Sequence, residues 1–409
     1  MKPITAVVLG AGSRGSIYAG FAKDHPDQLK IIAIAEPRKD RLDALAEDVG
    51  VPEERRFESW EALLAQPKLA DCAFICTLDD DHTAPALKAM ELGYHLLLEK
   101  PMSNNEADCR QIEETARRTG RTLAVCHVLR YTPFYMTLKA LIDKGEVGQV
   151  TTINQIENVG YWHQAHSFVR GNWRNTQETS PMILQKSCHD MDIILWLMGK
   201  DCLRVQSFGS LRHFTPENAP AGAAKRCLDN CPHVDTCPYS APKLYMDMER
   251  TGWPVDVITT DMSLEGRRKA LEEGPYGRCV YYCDNDVVDR QVVNLEFEDG
   301  GVATFTMTGL TADFFRELKI FGTEGQIRAN MGTKEIVLHR FGEEPKTIPV
   351  DMGLEASGHG GGDYGIMQNF LVVLREGGES RTSAATSLQS HLICFAAEKS
   401  REENIVVEL

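Results

Sequence analysis

The chain has no run of about 18 apolar residues, so no segment is expected to cross a bilayer as a helix. Positive charge is also in short supply. Lys and Arg number 44 against 59 Asp and Glu, and the net charge of −15 argues against nucleic acid as a partner. The 409 residues contain no biased tract, internal repeat or linker run; with 43% hydrophobic and 25% charged residues the composition is that of a soluble globular protein. The sequence starts without a charged n-region or cleavage site, from which a cytoplasmic location is expected. Such a length suffices for two or three domains with buried cores.

What is present begins with a glycine turn. Gly10-Ala11-Gly12-Ser13-Arg14-Gly15 follows the apolar run Ile4 to Leu9 and precedes Ile17, Tyr18, Phe21 and Ala22, whose spacing is helical. The pattern reads as strand, tight turn, helix. In such a turn Gly10 supplies the bend, Gly12 lets the backbone approach a pyrophosphate, and Gly15 permits close helix–strand packing. The helix that follows aims free N–H groups at the phosphates, so Ser13 and Arg14 join the glycines as candidate nucleotide contacts. Glu36 closes the next apolar run, Leu29 to Ala35, where a carboxylate accepts both ribose hydroxyls of an adenosine. NAD is therefore expected over NADP, with Arg38 as the residue that could answer a 2′-phosphate.

Up to residue 126, apolar strands (Cys72 to Thr77, Tyr94 to Leu98, Thr122 to Cys126) alternate with helical patterns. That alternation predicts a parallel sheet covered on both faces, with ligands off the carboxyl ends of its strands. The glycine turn, Glu36, Thr77, His82, Glu99 and Lys100 all fall at those ends and line one crevice. Lys100 stands between a carboxylate and Pro101, which disfavours the helical region for its predecessor. Its ammonium is expected to project into the crevice, toward a nicotinamide, where it could move a hydroxyl proton.

The glycine turn, Glu99-Lys100-Pro101 and His127-x-x-Arg130-Tyr131-x-Pro133 together resemble the Gfo/Idh/MocA family, the glucose–fructose oxidoreductase and inositol dehydrogenase-like enzymes, over nearly the whole chain. The resemblance implies an α/β plus α+β fold. Residues 1–126 would form a Rossmann dinucleotide-binding domain, and 127–409 a substrate-binding and oligomerisation domain on a large, mostly antiparallel open sheet. It implies that Lys100 contacts both cofactor and substrate, that His127, Arg130 and Tyr131 belong to the substrate side, and that the protein forms homodimers or homotetramers.

Beyond residue 127 an aromatic, His-rich loop carries Tyr161, Trp162, His163, His166, Trp173 and Arg174. Aromatic faces with hydrogen-bonding edges suit carbohydrate rings. A helix is expected from Ser180, as N-cap, to Met198, with Gln185, His189, Asp192 and Trp196 on one face and Lys186 one position round. The family resemblance places an Asp-x-x-x-His pair on this helix, the histidine as acid/base. Here His189 matches and Gln185 replaces the acid. Glutamine carries neither proton nor charge, so Lys100 and His189 are the expected catalytic groups, with Lys186 as a third or merely an ion-pair partner of Asp190.

Residues from about 215 to 286 read as an insertion. Its Cys227, Cys231, Cys237, Cys279 and Cys283 are clustered, which in a reducing compartment suggests zinc or an iron–sulfur centre before disulfides. Alternating strands follow, with a hairpin signal at Glu298-Asp299-Gly300-Gly301, and the chain ends in two helices. The expected function is hydride transfer between a nicotinamide and a carbinol carbon of a sugar, sugar acid or polyol. A glycosidase working by transient oxidation and elimination, with the cofactor recycled, is the alternative; a non-catalytic NAD-binding sensor is the third.

Overall fold

The computed structural model describes residues 2–351 and 358–409. The N-terminal part, to residue 125, is organised on six parallel strands: β1 (Ile4–Leu9), β2 (Leu29–Ala35), β3 (Arg56–Phe57), β4 (Cys72–Ile75), β5 (His95–Leu98) and β6 (Leu123–Val125), in the order β3-β2-β1-β4-β5-β6. Every residue of β4 is buried, as expected of a strand covered on both faces. The coverings are α1 (Ser13–Asp24), α2 (Lys39–Val49), α3 (Trp60–Leu64), α4 (Thr83–Glu91) and α5 (Glu106–Thr119). α5 shows why these residues form helices. Its N-cap Asn105 accepts from the N–H groups of Ala107 and Asp108, and left-handed Gly120 ends it.

α6 (Pro133–Asp143) leads into the second sheet. Nine strands lie in the order β14-β13-β12-β11-β7-β10-β9-β8-β15. They are β7 (Val150–Asn158), β8 (Cys202–Ser210), β9 (Arg290–Phe297), β10 (Val302–Thr308), β11 (Arg316–Gly322), β12 (Gly325–Asn330), β13 (Glu335–Arg340), β14 (Lys346–Ile348) and β15 (Val407–Glu408). β7 and β10 run parallel, and the other pairs are antiparallel. One face buries Ile153, Val293, Phe305 and Ile320 against helices; the other is open, with Ile156, Val292 and Val302 exposed. The fold is thus α/β followed by α+β with a mostly antiparallel open sheet.

Local structure departs from the sequence reading in three places. The aromatic loop is helical: α7 (Tyr161–His163) continues into a π-helical stretch, Gln164–Arg170. The helix expected from Ser180 to Met198 is broken into α8 (Met182–Gln185) and α9 (Cys188–Met198), with Ser187 at φ −94°, ψ 4° between them. Nor is Ser180 its cap. The Ser180 hydroxyl donates to Asp79 at 3.0 Å instead, tying this segment to the carboxyl end of β4. Between β8 and β9 the insertion folds α10 (Ala241–Tyr245), α11 (Val255–Ile258) and α12 (Leu264–Glu273) around a small core of its own, and shares a second one with Ala165 and Val169 of the π-helical stretch.

The last two helices, α13 (Gly358–Glu376) and α14 (Ala384–Glu403), bind the halves together. Ile366, Met367 and Phe370 of α13 enter the core that holds Tyr18 and Phe74. α14 puts Leu388 into the other core of the first sheet and Ile393 into the core of the second. Near its start α13 also places Asp363 against Arg14 of the glycine turn.

Candidate active site

The glycine turn is built as its spacing requires. Gly10 has φ +99°, and a Cβ there would lie 2.4 Å from the Cys76 carbonyl oxygen; one on Gly15 would lie 2.0 Å from that of Gly10. Gly12 differs. A Cβ on it would meet only the Arg41 guanidinium, at 3.8 Å, so the protein itself does not demand glycine there. The open cradle fits a pyrophosphate at the N-terminus of α1. Glu36 accepts from the Ala11 N–H at 2.8 Å and the Arg38 N–H at 3.0 Å, one bond to each oxygen, which holds its carboxylate at the end of β2. The Arg38 guanidinium turns away and pairs with Asp40 at 2.8 Å.

Thr77 and His82 serve the turn after β4. The Thr77 hydroxyl donates to Asp81 O at 2.7 Å, and the His82 ring reaches Pro101 O at 2.7 Å and Thr77 O at 3.1 Å. Beside them Arg14 is the hub of a buried network. It donates to Glu99 at 2.7 Å, to Asp363 of α13 at 2.6 Å and 3.2 Å, and to the Tyr18 hydroxyl, which in turn donates to Glu99 at 2.7 Å. Against the opposing effect of burial, Arg14 holds Glu99 below the usual carboxylate range, and the hydrogen bond with His359, then Arg14, do the same for Asp363. Arg14, Asp363 and Glu99 thus join the glycine turn, the end of β5 and the start of α13.

Lys100 follows Glu99, and the peptide to Pro101 is cis. Its ammonium crosses the crevice and donates to Gln185 O at 2.6 Å, at the break between α8 and α9. His189, in the first turn of α9, is buried, and its Nδ1 has no protein partner among the described residues. Burial, then the Lys100 charge, push its pKa well below the usual histidine value. His127, its ring 5.7 Å from that of His189, is also buried with no partner for Nδ1 among the described residues, and burial, then the Arg130 charge, push its pKa well below the usual value. Gln185 is buried, and its side-chain oxygen has no partner among the described residues.

Lys186 pairs with Glu157 of β7 at 3.2 Å rather than with Asp190. Asp190 belongs instead to Arg316 of β11, at 2.7 Å, and the same guanidinium reaches Glu157 at 2.9 Å. Desolvation lowers the Lys186 pKa and raises that of Glu157, with the ion pairs opposing both. The Lys186 ammonium also lies 5.6 Å from the Phe314 ring, and Phe314 packs against Trp162 and His163. Trp173 donates to Asp79 at 3.3 Å across the crevice. Lys100, Gln185, Lys186, His189, His127, Trp162, His163 and Trp173 therefore stand in one neighbourhood.

Other expected substrate residues are engaged elsewhere. Arg130 makes a buried, two-bond pair with Asp192, both at 2.7 Å. The Tyr131 hydroxyl bonds Thr382 at 3.0 Å, and His166 bonds the Tyr245 hydroxyl at 2.7 Å inside the insertion. Tyr161 packs on Tyr239, and Arg174 pairs with Asp284 at 2.9 Å.

The metal expectation is not met. Cys227, Cys231, Cys237 and Cys279 face one cavity of about 20 Å³ with His233, yet no group of three His, Cys, Asp or Glu among the described residues is placed to hold a metal ion. Cys283 turns its thiol to the Cys279 carbonyl oxygen, and all five remain free thiols. Sequence reading also misses Glu157 and Arg316; it takes the loop of His359 and Asp363 only as one that closes over the substrate or as a helix-start turn, with no role for either side chain. The signal for the last two lay in Gly358-His359-Gly360-Gly361-Gly362-Asp363, where a carboxylate and an imidazole stand among glycines.

Residues 4–127 match the NAD-binding Rossmann fold of the GFO_IDH_MocA oxidoreductase family, and residues 139–409 match that family's C-terminal alpha/beta domain. The chain is 25% identical over 212 residues to the scyllo-inositol 2-dehydrogenase (NAD(+)) of Bacillus subtilis, covering 51% of this chain and 58% of that protein. It is 25% identical over 210 residues to the 2,7-anhydro-N-acetylneuraminate hydratase of Escherichia coli, covering 51% and 54%. The chain thus spans little more than half the length of these two relatives. Among solved structures, a levoglucosan dehydrogenase in complex with NADH and L-sorbose superposes with a TM-score of 0.74 at 18% identity, covering 100% of this chain and 99% of that one.

Proposed function

For a chain that belongs to the Gfo/Idh/MocA oxidoreductase family, we propose an NAD-dependent dehydrogenase of a sugar, sugar acid or polyol. The carrying observation is the meeting of Lys100 with the α8–α9 break, beside a buried His189 whose Nδ1 lacks a protein partner. An ammonium and an unpaired imidazole nitrogen facing one space suit a hydroxyl whose proton is to be moved. Gly12 and the start of α1 would hold the pyrophosphate and Glu36 the adenosine ribose. When bound, NAD supplies the acceptor for a hydride from the carbinol carbon. Lys100 orients the substrate hydroxyl and stabilises oxygen as its proton leaves; His189, kept neutral by burial, accepts that proton. Trp162, His163 and Trp173 wall the substrate side, and the open face of the second sheet supports assembly into homodimers or homotetramers.

One observation favours a second reading. Gln185 stands where the resemblance puts an acid, Lys186 lies beside it, and one relative is by name a hydratase. Redox-neutral cleavage of a glycoside, with the hydride returned, needs the same Lys100 and His189. The fate of the hydride separates the two. Incubation with excess NAD and a panel of inositols, hexoses and uronic acids is expected to accumulate NADH, and Lys100→Met to lower the rate by about 10³-fold. Cleavage of nitrophenyl glycosides with catalytic NAD, and no NADH from the panel, would replace the dehydrogenase by the glycosidase.

A further inference from the structure

Oxidation of a hydroxyl releases a proton, and the proposed site releases it where it cannot stay. His189 lies in a group of positive or potentially positive neighbours: Lys100 from β5, His127 after β6, Arg316 from β11 and His359 from α13, each of which disfavours charge on its ring. A route outward exists in the side chains themselves. His391, His127, His189 and His359 stand in file, with ring centroids 5.5, 5.7 and 6.2 Å apart. The first three are buried; the His359 side chain is 43% exposed.

His359 is also held in a built position. Its Nδ1 faces both oxygens of Asp363, at 3.1 and 3.2 Å, and Asp363 is gripped by Arg14. The backbone at His359, Gly360 and Gly361 is left-handed, with φ of 43°, 66° and 90°. That is uncommon for a residue with a side chain. Gly358 is required by the same arrangement, because a Cβ there would lie 2.2 Å from Asp363 Oδ2. A carboxylate on Nδ1 fixes the ring's tautomer and leaves Nε2 to exchange protons.

We infer that His359, oriented by Asp363, is the proton-relay residue of this site, taking the substrate's hydroxyl proton from His189 and delivering it to water. This rests on the oxidoreductase reading above. In the step, the carbinol C–H bond breaks with its electron pair leaving as hydride to NAD⁺. The O–H pair becomes the C=O π bond, and the proton passes to one nitrogen of His189. His189 gives up a proton from its other nitrogen to Nε2 of His359 and is neutral again. His359 then releases a proton to solvent. The carboxylate–histidine pair absent from the α8–α9 segment, where Gln185 stands, is thus supplied by α13.

The test uses His359→Asn, because asparagine tolerates the left-handed backbone, with His359→Gln as a second variant. With myo-inositol, scyllo-inositol, D-glucose and D-glucuronate as probes and NAD as oxidant, kcat is expected to fall about 100-fold. KM and NAD binding should change little, and added imidazole should restore the rate in proportion to its concentration, which a purely structural defect would not show. A readout independent of turnover is the ¹⁵N spectrum of the histidines, where His359 is expected with its proton on Nδ1. If the wild-type chain reduces NAD with none of the probes, the oxidoreductase reading falls and the relay with it. If the wild-type chain reduces NAD while both variants keep their kcat and ignore imidazole, or if the ¹⁵N shifts put the proton on Nε2, the relay alone is overturned.

Discussion

The two walls of the crevice differ in how their polar groups are satisfied. On the nucleotide side Arg14, Tyr18, Glu99 and Asp363 complete one another, and Glu36 has a backbone donor on each oxygen. On the side proposed for the substrate, the Nδ1 atoms of His127 and His189 and the side-chain oxygen of Gln185 are buried without a protein partner among the described residues. An unmade hydrogen bond on a buried group costs about 1–3 kcal/mol. The nucleotide wall is therefore finished by the protein alone, whereas the substrate wall keeps hydrogen-bonding capacity that a polyhydroxylated ligand can use. Preformed support on one side and unspent polarity on the other is the arrangement expected when one enzyme framework keeps its cofactor and varies its substrate.

The largest effect that sharpens this contrast is acid lability. Burial holds His166 and His391 down to about 3, and His127, His163 and His189 well below the usual value. Unfolded histidines take protons near pH 6.5. Below that pH the unfolded state binds more protons than the folded one, so stability falls as pH falls, by about 1.4 kcal/mol per pH unit for each such histidine. Glu157 and Asp192, both raised by burial, oppose the trend at lower pH. Urea unfolding at pH 7, 6 and 5 should show a steep loss; a flat profile would mean that these rings are solvated in solution.

Next in size is the ion network under the substrate wall. Arg316→Met leaves Glu157 and Asp190 buried without their common partner and is expected to cost about 3–5 kcal/mol. Adding Glu157→Gln and Asp190→Asn should recover part of it. Arg14→Met, on the side proposed for the nucleotide, removes an arginine whose side chain is 25% exposed and should cost about 1–3 kcal/mol. Equal losses from the two arginines would erase the distinction drawn between the walls.

The residues proposed to face the nucleotide could be picked out in the sequence because their signals are local. Gly10, Gly12, Gly15, Glu36 and Lys100 sit at turns and strand ends whose spacing is fixed by the βα unit itself. The substrate wall was legible only in part. His189 and Lys186 could be found on a helical pattern, yet the break at Ser187 is marked by neither proline nor glycine. Arg316 meets Asp190 across 126 residues and Arg14 meets Asp363 across 349, distances at which charge pairing leaves no periodic trace. Clustered cysteines misled in the other direction: sequence proximity brought four thiols to one cavity without converging them on a point.

The smallest effect concerns nucleotide choice, and it tests how finished the nucleotide wall is. Glu36 is fixed at the end of β2 by the Ala11 and Arg38 N–H groups, so a 2′-phosphate would meet a carboxylate that cannot easily withdraw. Arg38 is a nearby cation able to compensate, and its guanidinium is drawn off by Asp40 at 2.8 Å, both side chains being about half exposed. Exposed pairs of this kind are worth about 0.2–1 kcal/mol. Asp40→Asn keeps the shape and removes the charge that holds Arg38. NADP affinity is then expected to rise about threefold to fivefold while NAD affinity stays the same, because NAD offers Arg38 no phosphate at that position. Calorimetric titration of both nucleotides against both proteins decides it. NADP binding to the wild-type chain as tightly as NAD would remove Glu36 as the selecting group, and an unchanged NADP affinity in Asp40→Asn would show that Arg38 has no part in the choice.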